Sequence, residues 1–466
     1  MHLSSYVQSK KLEVGSAETI VGLYSPFGHQ FCFVSTQGWQ LIESGQFELL
    51  DSETLNTLKA KQFIVEDNFE DTILSRYLPP TEHIREMWLI IEQSCNMACQ
   101  YCVTEGNVED PSLRTPVSSK KKQASAGCGS TSANTMNKEV ALAAVHKFAG
   151  YLEKTKPIVP RVTLYGGEPL LNWPTIEAVV PAIRDIRYKG QIKERPVQVL
   201  VITNGQICRD SIIEFFSRHQ VSVSVSLDGL QHHHDSQRIT LSGKGTFQRA
   251  AESLRRYKAA GLNVGICTTV GQHNYQDLPQ IAEFFADEFA IPVELQVPFD
   301  IPFNGGNQSS VAMVDAAPYA VEAYERLRQR GLLEGLMGRR MMQVNSGTFH
   351  HRDCSAVGGQ IVVAPDGSIG PCHAFSGQRK FFSGNVLEDF NPWDNLAFHE
   401  WSRRQPVNMQ DCHGCSAIGI CGGGCPYNAH IATGSIWGKD PQQCAYMHYL
   451  IDWMIEDIWN QNAKAL

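Results

Sequence analysis

The sequence predicts an α/β protein built around a parallel sheet. From Met87 onward, six short apolar runs alternate with stretches of helical periodicity. These runs are apolar along almost their whole length, as expected for strands buried on both faces of a parallel barrel or a doubly wound sheet. Ten of the 14 cysteines fall into two groups, one directly after the first of these strands and one in the last quarter of the chain. This distribution of cysteines predicts metal binding by an α/β protein.

Composition limits the classes of function. A chain of 466 residues that is 42% hydrophobic is long enough for two or three domains with a sizeable core. Its net charge of -8 gives no electrostatic footprint for nucleic acid or an anionic membrane. No apolar segment approaches the roughly 20 residues of a membrane span, and no signal-peptide core is seen, so we expect a cytoplasmic protein. In that compartment cysteines are favoured as metal ligands or catalytic groups over disulfides.

The elements follow in order along the chain. The first segment has strand character in "TIVGLY" and "FCFVST" and helical spacing in "GWQLIES" and "SETLNTLKAK", which indicates a small α+β module. The six central strands are predicted at "MWLIIE", "RVTLYGGEPLL", "VQVLVITNG", "VSVSVSLDG", "NVGICTTV" and "PVELQVPF". A polar stretch, 104–137, is predicted to be an exposed loop. The resulting divisions are a module at 1–85, the α/β region at 86–310, linking helices at 311–350, a cysteine-rich domain at 351–450 and a C-terminal helix at 451–466.

The first cysteine group is "CNMACQYC", with Cys95, Cys99 and Cys102. Three thiolates can bind three irons of a [4Fe-4S] cluster and leave the fourth iron for another ligand. The alternative is a zinc site that takes a fourth ligand from elsewhere. The spacing C-x3-C-x2-C, with Tyr101 before the last cysteine, resembles the signature of the radical S-adenosylmethionine (SAM) enzymes.

That resemblance implies a fold, a cofactor and a chemistry. The fold is a partial (β/α)6 TIM-like barrel. The methionine part of SAM would chelate the open iron, and an electron from the cluster would produce a 5'-deoxyadenosyl radical that removes a hydrogen atom from the substrate. The resemblance also implies a reduced flavodoxin or ferredoxin as electron donor.

Two further motifs resemble the SAM-binding positions of the family. In "LYGGEPLL", Gly166 and Gly167 would let the backbone approach the cofactor, and Glu168 would accept hydrogen bonds from its ammonium group. In "SLDGLQHHHDSQR", Ser226 and Arg238 match positions that bind the SAM carboxylate. The alternatives for this pair are a helix-capping serine and a surface ion pair. The three histidines between them, 232–234, are predicted to be solvent-exposed on a polar loop.

The second cysteine group resembles the seven-cysteine SPASM domain of peptide- and protein-modifying radical SAM enzymes. The resemblance implies two auxiliary [4Fe-4S] clusters, and therefore three clusters in the chain. The second auxiliary cluster would take Cys412, Cys415, Cys421 and Cys444, and the first would take Cys354, Cys372 and Cys425. A pair of zinc ribbons is the alternative for the "CHGC" and "CGGGC" motifs.

The first auxiliary set has three cysteines, and relatives that mature sulfatases carry an additional one. Those relatives also have an aspartate as base after the second cysteine, where this chain has His373. Both differences argue against sulfatase maturation. An open iron could bind a substrate cysteine as thiolate beside the carbon radical, with sulfur–carbon bond formation to follow. His373 is a candidate catalytic residue or iron ligand, and a buried core histidine is the alternative.

The sequence therefore predicts a radical SAM peptide maturase. Its expected substrate is a ribosomally made precursor peptide, whose leader the 1–85 module would bind as an added strand, as winged-helix-like domains of such enzymes do. A structural cap on the barrel is the alternative for this module. A cysteine thioether is the preferred product, a carbon–carbon or carbon–oxygen crosslink or a protein substrate is the second hypothesis, and a non-catalytic zinc or redox scaffold is the third.

Overall fold

The structure is a computed structural model that describes residues 1–14, 18–77, 83–102, 134–189, 196–290, 293–296, 311–332 and 335–463. The predicted exposed loop, 104–137, falls almost entirely outside the described residues. All described cysteines are free thiols. No described helix is long and apolar enough to cross a membrane.

Six parallel strands form the centre of the molecule, in the sequential order that the sequence predicts. Each pairs with its chain neighbour, from the first strand to the sixth. The strands are β6 (Glu86–Glu92), β7 (Arg161–Gly166), β8 (Gln198–Thr203), β9 (Ser222–Ser226), β10 (Val264–Thr269) and β11 (Val293–Gln296). Helices follow them at α4 (Lys138–Thr155), α5 (Trp173–Arg184), α6 (Asp210–Arg218), α7 (Gln231–Gln237), α8 (Phe247–Ala259) and α9 (Leu278–Phe289).

The alternation of side chains along β6 explains how the sheet is packed. Met87, Leu89 and Ile91 are fully buried in the main hydrophobic core, which also contains the inner faces of the helices. The side chains between them point to the other face of the sheet. There Trp88 contacts Tyr165 of β7, with ring centroids 5.3 Å apart. The face of the sheet that points away from the helices, its concave face, therefore carries the aromatic pair Trp88 and Tyr165, whereas the helix-facing side is aliphatic.

The N-terminal part of the chain contains both strands and helices. It contains β1 (His2–Leu3), β2 (Gln8–Val14), β3 (Glu18–Ser25), β4 (Gln30–Ser35) and β5 (Ile64–Val65), with α1 (Thr36–Glu43), α2 (Ser52–Ala60) and α3 (Phe69–Ile73). Strands β2, β3 and β4 form one antiparallel sheet, and β1 pairs with β5. The Ser35 and Asp51 side chains cap α1 and α2 by accepting backbone N–H groups in the first turn.

The C-terminal third differs from the sequence prediction in two places. Its elements are α10 (Met313–Gln329), α11 (Gly335–Asn345), β12 (Gln360–Val363), β13 (Ile369–Gly370), α12 (Leu396–Arg403), α13 (Ile418–Cys421), α14 (Pro426–Thr433) and α15 (Pro441–Ala463). Strand β12 pairs in parallel with β6, and β13 pairs antiparallel with β12, so the sheet has eight strands. The C-terminal helix begins at Pro441 and not at 451, so it includes Cys444.

Candidate functional site

The first cysteine group lies immediately beyond the carboxyl end of β6. The three thiols interact electrostatically with one another, and the side-chain amide of Asn204 donates to Cys95 Sγ at 3.6 Å. Burial raises the pKa of Cys95 to about 11 and that of Cys99 to about 12. Thiols with such pKa values stay protonated at neutral pH unless a metal replaces the proton. Binding of a metal by this group would therefore release the thiol protons.

The two glycines of "YGGEP" make room for the backbone that leads into this cysteine loop. A Cβ on Gly166, whose φ is +144°, would lie 2.0 Å from the carbonyl oxygen of Glu92. A Cβ on Gly167 would lie 2.4 Å from the carbonyl oxygen of Ser94. The Gly167 N–H donates to the Glu92 carbonyl at 2.7 Å. Glycine is thus required where the end of β7 contacts the segment before Cys95.

Glu168 is fully buried and joins the ends of β7 and β8. Its carboxylate accepts hydrogen bonds from Leu170 N at 3.0 Å, Thr203 Oγ1 at 2.9 Å and Asn204 N at 2.8 Å. Burial, the largest influence, raises the pKa of Glu168 to about 7. The described contacts of this carboxylate are all within the protein, and a contact with the SAM ammonium stays a prediction.

The loop after β9 places a buried ion pair beside the first cysteine group. Arg238 Nε donates to Asp228 Oδ2 at 3.0 Å, and the Tyr101 hydroxyl donates to the same carboxylate. The Arg238 guanidinium also lies over the Tyr101 ring, with Cζ 5.2 Å from the centroid. Burial opposes ionisation of Asp228, but the Arg238 charge holds its pKa below its usual value. Tyr101 and Arg238 are thus brought together as one network around Asp228.

Two alternatives for the Ser226 and Arg238 pair are wrong. Ser226 is the last residue of β9 and pairs in register with Cys267 of β10, so it does not cap a helix. Arg238 is only 8% exposed, so its ion pair is not on the surface. The sequence motifs did not single out Asp228, although its position directly after an apolar strand and before Gly229 is typical of a site residue in an α/β fold.

The prediction that histidines 232–234 lie exposed on a loop is wrong for two of them. They belong to α7, and His233 and His234 are 3% and 0% exposed, whereas His232 is exposed. His234 is close to the Asp228 backbone N–H and to Thr246 Oγ1. The polar composition of "QHHHDSQ" concealed a short helix whose buried face packs on the loop after β9 and on the start of α8.

The three cysteines assigned to the first auxiliary set lie together. Cys354, Cys372 and Cys425 belong to one buried cluster and interact electrostatically. Burial raises the pKa of Cys354 to about 12 and that of Cys372 to about 11. The three cysteines are far apart in sequence, and the fold brings them together in the grouping that the resemblance to the SPASM domain implies.

His373 follows Cys372 and lies between this set and the barrel. Its ring stacks on Trp88 with a centroid distance of 4.3 Å and an interplanar angle of 7°. Tyr165 meets it edge-on at 5.4 Å. Burial lowers the pKa of His373 to about 4, so the imidazole is neutral at pH 7. An aromatic column therefore connects the second cysteine of this set to the concave face of the sheet.

The remaining four cysteines line a single enclosed cavity, which has Cys412, Cys415, Cys421 and Cys444 on its walls. Cys421 ends α13 and Cys444 lies in the first turn of α15, so two helices and the preceding loop contribute to it. His448 Nε2 lies 3.7 Å from Cys415 Sγ. The four thiols supply one ligand for each iron of a four-iron cluster.

The distances between the cysteine Sγ atoms can be compared with those of a zinc site and of a four-iron cluster. Within the described part of the chain, no three cysteine Sγ atoms all lie within 4.8 Å of one another. Around one zinc ion, with Zn–S bonds of about 2.3 Å, sulfurs lie about 3.8 Å apart. A four-iron cluster takes each thiolate on a separate iron and needs wider spacing.

Comparison with known proteins agrees with this geometry. Residues 89–285 match the model of the radical SAM superfamily. The matched segment runs from within β6 to within α9, so the predicted fold class is confirmed. The chain is 24% identical over 384 residues to the radical SAM cyclopropyl synthase TigE of Paramaledivibacter caminithermalis. This alignment covers 80% of this chain and 75% of TigE.

Solved structures show the same fold at lower identity. AnSMEcpe with bound AdoMet matches with a TM-score of 0.63 and 17% identity, over 80% of this chain and 99% of that one. Streptococcus suis SuiB bound to its precursor peptide SuiA matches with a TM-score of 0.52 and 13% identity, over 95% of this chain and 99% of SuiB.

Proposed function

We propose that this chain, whose residues 89–285 match the radical SAM superfamily, is a radical SAM maturase that modifies a ribosomally made precursor peptide. The observation that carries the proposal is the presence of three separate cysteine sets, of three, three and four thiols, in one chain. TigE and SuiB support it, since SuiB is seen with a precursor peptide and TigE is a cyclopropyl synthase.

The residues at the carboxyl end of the sheet would bind the cofactors. Cys95, Cys99 and Cys102 would hold one [4Fe-4S] cluster, and the two C-terminal sets would hold the two auxiliary clusters. Ser226 and Arg238 would bind the SAM carboxylate, with Asp228 fixing the orientation of Arg238. When bound, SAM and its cluster supply a 5'-deoxyadenosyl radical that removes a hydrogen atom from the substrate. A reduced flavodoxin or ferredoxin would donate the electron.

We favour a thioether between a substrate cysteine and another residue as the product. The set of Cys354, Cys372 and Cys425 supplies three thiolates, which leaves one iron of a four-iron cluster for a substrate thiol. His373 would lie between that position and the concave face of the sheet, because it stacks on Trp88. Because burial lowers its pKa to about 4, the imidazole is neutral at pH 7 and a weak base, so His373 would be an iron ligand or a packing contact there, and not the acceptor of the thiol proton.

Carbon–carbon bond formation is the second candidate. The observation that favours it is the similarity to TigE over 80% of this chain. Such a reaction needs no substrate thiol, and the first auxiliary set would then be closed by another ligand. A larger protein substrate is a further option.

The N-terminal module would bind the leader of the precursor. Its antiparallel sheet has the order β2-β3-β4, so β2 and β4 are the two edges to which a peptide strand can add. The open sheet edges and the size of this module are the observations that support leader binding.

The test is co-expression of the enzyme with each short reading frame that flanks its gene, followed by mass spectrometry of the peptide. The proposal predicts a loss of two hydrogens from one peptide. A thioether removes a thiol from reaction with iodoacetamide, whereas a carbon–carbon bond leaves every thiol reactive. If purified, reduced enzyme forms 5'-deoxyadenosine but no flanking peptide changes mass, the peptide-maturase proposal is contradicted.

A further inference from the structure

A histidine–histidine–aspartate cluster lies outside the three cysteine sets. One ligand atom from each of His232, His233 and Asp277 lies within 4.8 Å of those of the other two. His233 Nε2 and Asp277 Oδ2 are 2.9 Å apart, and the two imidazole centroids are 3.9 Å apart. Around a metal ion with bonds of about 2.0–2.2 Å, neighbouring ligand atoms are separated by about 3 Å. Only small side-chain movements are needed for these three residues to share one ion.

His233 has the features of a buried ligand. It is 3% exposed, and its Nε2 atom, which faces Asp277, is the one that would bind the ion, whereas its Nδ1 atom is buried on the other side of the ring with no hydrogen-bond partner among the described residues. Gly229 lies against that atom, since a Cβ at Gly229 would be 3.0 Å from His233 Nδ1. Burial lowers the pKa of His233, so its imidazole is neutral at pH 7, which is the form that binds metal.

We propose that His232, His233 and Asp277 form a binding site for a zinc-type divalent cation. Two imidazoles and one carboxylate are a ligand set of borderline softness that suits Zn²⁺. His232 is exposed and the Asp277 side chain is 43% exposed, so the remaining coordination positions face solvent. The site contains no sulfur, which distinguishes it from every cysteine set of the chain.

The position of the site gives the ion a structural effect. His232 and His233 are in α7, which follows β9, and Asp277 follows β10. The same two connections also meet where Asn274 Nδ2 donates to the Asp228 carbonyl at 2.8 Å. A metal ion would be a second link between the connection after β9 and the connection after β10, in addition to the Asn274–Asp228 hydrogen bond. It would lie on the α7 segment, which ends just before Arg238. The proposal requires only metal binding, and it holds whether or not the proposed function is correct.

The experiment is zinc binding by the full-length, cluster-reconstituted protein. After dialysis against buffered Zn²⁺ and removal of free metal, zinc and iron per chain are measured by mass spectrometry. We expect about one zinc per chain with unchanged iron, and zinc-edge absorption with nitrogen and oxygen neighbours. His232→Ala and Asp277→Asn should each weaken zinc binding by at least about tenfold.

His146→Ala is the matched control, because His146 is an exposed histidine on α4, away from this cluster. It should bind zinc like the wild type. His232 is also exposed, so its loss should leave the fold and the iron content intact. The proposal is overturned if the wild type binds no zinc, if the bound zinc has sulfur neighbours, or if His232→Ala binds zinc as tightly as the wild type.

Discussion

The carboxylate of Asp228 holds in place Arg238 and Tyr101, two residues that are predicted to bind SAM. It is fully buried, and it contacts Arg238, the Tyr101 hydroxyl and the Thr269 N–H. A buried charge of this kind is tolerated because the opposite charge lies against it. Removing one partner is costly, since the other is then left uncompensated.

Asp228→Asn should therefore destabilise the protein and weaken SAM binding. Loss of the charge leaves the Arg238 guanidinium buried without a counter-charge, which costs about 3–5 kcal/mol of unfolding free energy. The urea midpoint and anaerobic calorimetry with SAM measure the two effects. Asp210→Asn is the control, because the Asp210 side chain is 87% exposed and its pair with Arg256 is a surface one. Equal effects of the two substitutions would refute this role of Asp228.

Gly167→Ala should prevent assembly of the first cysteine group into a metal site. The new Cβ would lie 2.4 Å from Ser94 O and 2.5 Å from Gln93 O, and backbone cannot move aside as a side chain can. The segment before Cys95 would shift, and we expect a loss of about four irons per chain. Gly150→Ala is the control, because a Cβ added at this position of α4 would contact no neighbouring residue within 4 Å. Wild-type iron content in Gly167→Ala would show that this close contact is not needed.

Residues with strict spacing were the most predictable from sequence, and polar residues were the least. The cysteine groupings were expected from the resemblance of the cysteine spacing to the radical SAM signature and to the SPASM domain. Asp228 and the burial of His233 and His234 were missed, because a polar side chain after a strand or in a short helix gives no periodicity that a pattern can detect. Glu168 was predicted to face a ligand, whereas its described partners are Leu170, Thr203 and Asn204.

At the scale of elements, two packing contacts connect the three parts of the chain. Strand β12 pairs with β6, so the C-terminal domain is joined to the barrel by a sheet. Helix α15 packs on β2 and β3 of the N-terminal module, where it shares a hydrophobic cluster with Leu12 and Ile20. The first contact was not predicted, because a four-residue apolar run such as "QIVV" fits a strand in any sheet.

Gly22→Val should loosen the N-terminal module from α15. A Cβ at Gly22 would lie 2.2 Å from Ile455 Cγ2, so even one added carbon overfills this contact. Overpacking costs about 1–3 kcal/mol, which corresponds to about 5- to 150-fold faster local opening. Hydrogen exchange of β2 and β3 measures this change.

Gly265→Ala is the control for this experiment, because Gly265 is another strand glycine at which an added Cβ would contact no neighbouring residue within 4 Å. It should leave the exchange of β2 and β3 unchanged. If Gly22→Val also leaves exchange unchanged, the contact between α15 and β3 does not hold the module in place.

At the scale of the whole molecule, the fold class was predictable from the sequence, and the contacts between distant segments were not. The alternation of apolar runs and helical stretches predicts a parallel barrel or a doubly wound sheet, and the resemblance to radical SAM enzymes implies the barrel, in which each strand lies beside the last. The eight-stranded sheet and the aromatic column of Trp88, Tyr165 and His373 depend on contacts between distant segments. No local pattern encodes such contacts, so they become visible only in the structure.

The central claim is that one chain holds three iron–sulfur clusters, one of which initiates radical chemistry. The measurement that tests it most directly is iron and sulfide per chain in anaerobically reconstituted protein, with 5'-deoxyadenosine assayed after addition of SAM and dithionite. We predict about twelve irons per chain and deoxyadenosine formation, and about eight irons with no deoxyadenosine when Cys95, Cys99 and Cys102 are all replaced by alanine. About four irons in the wild type, or zinc in the C-terminal cysteine sets, would contradict the claim.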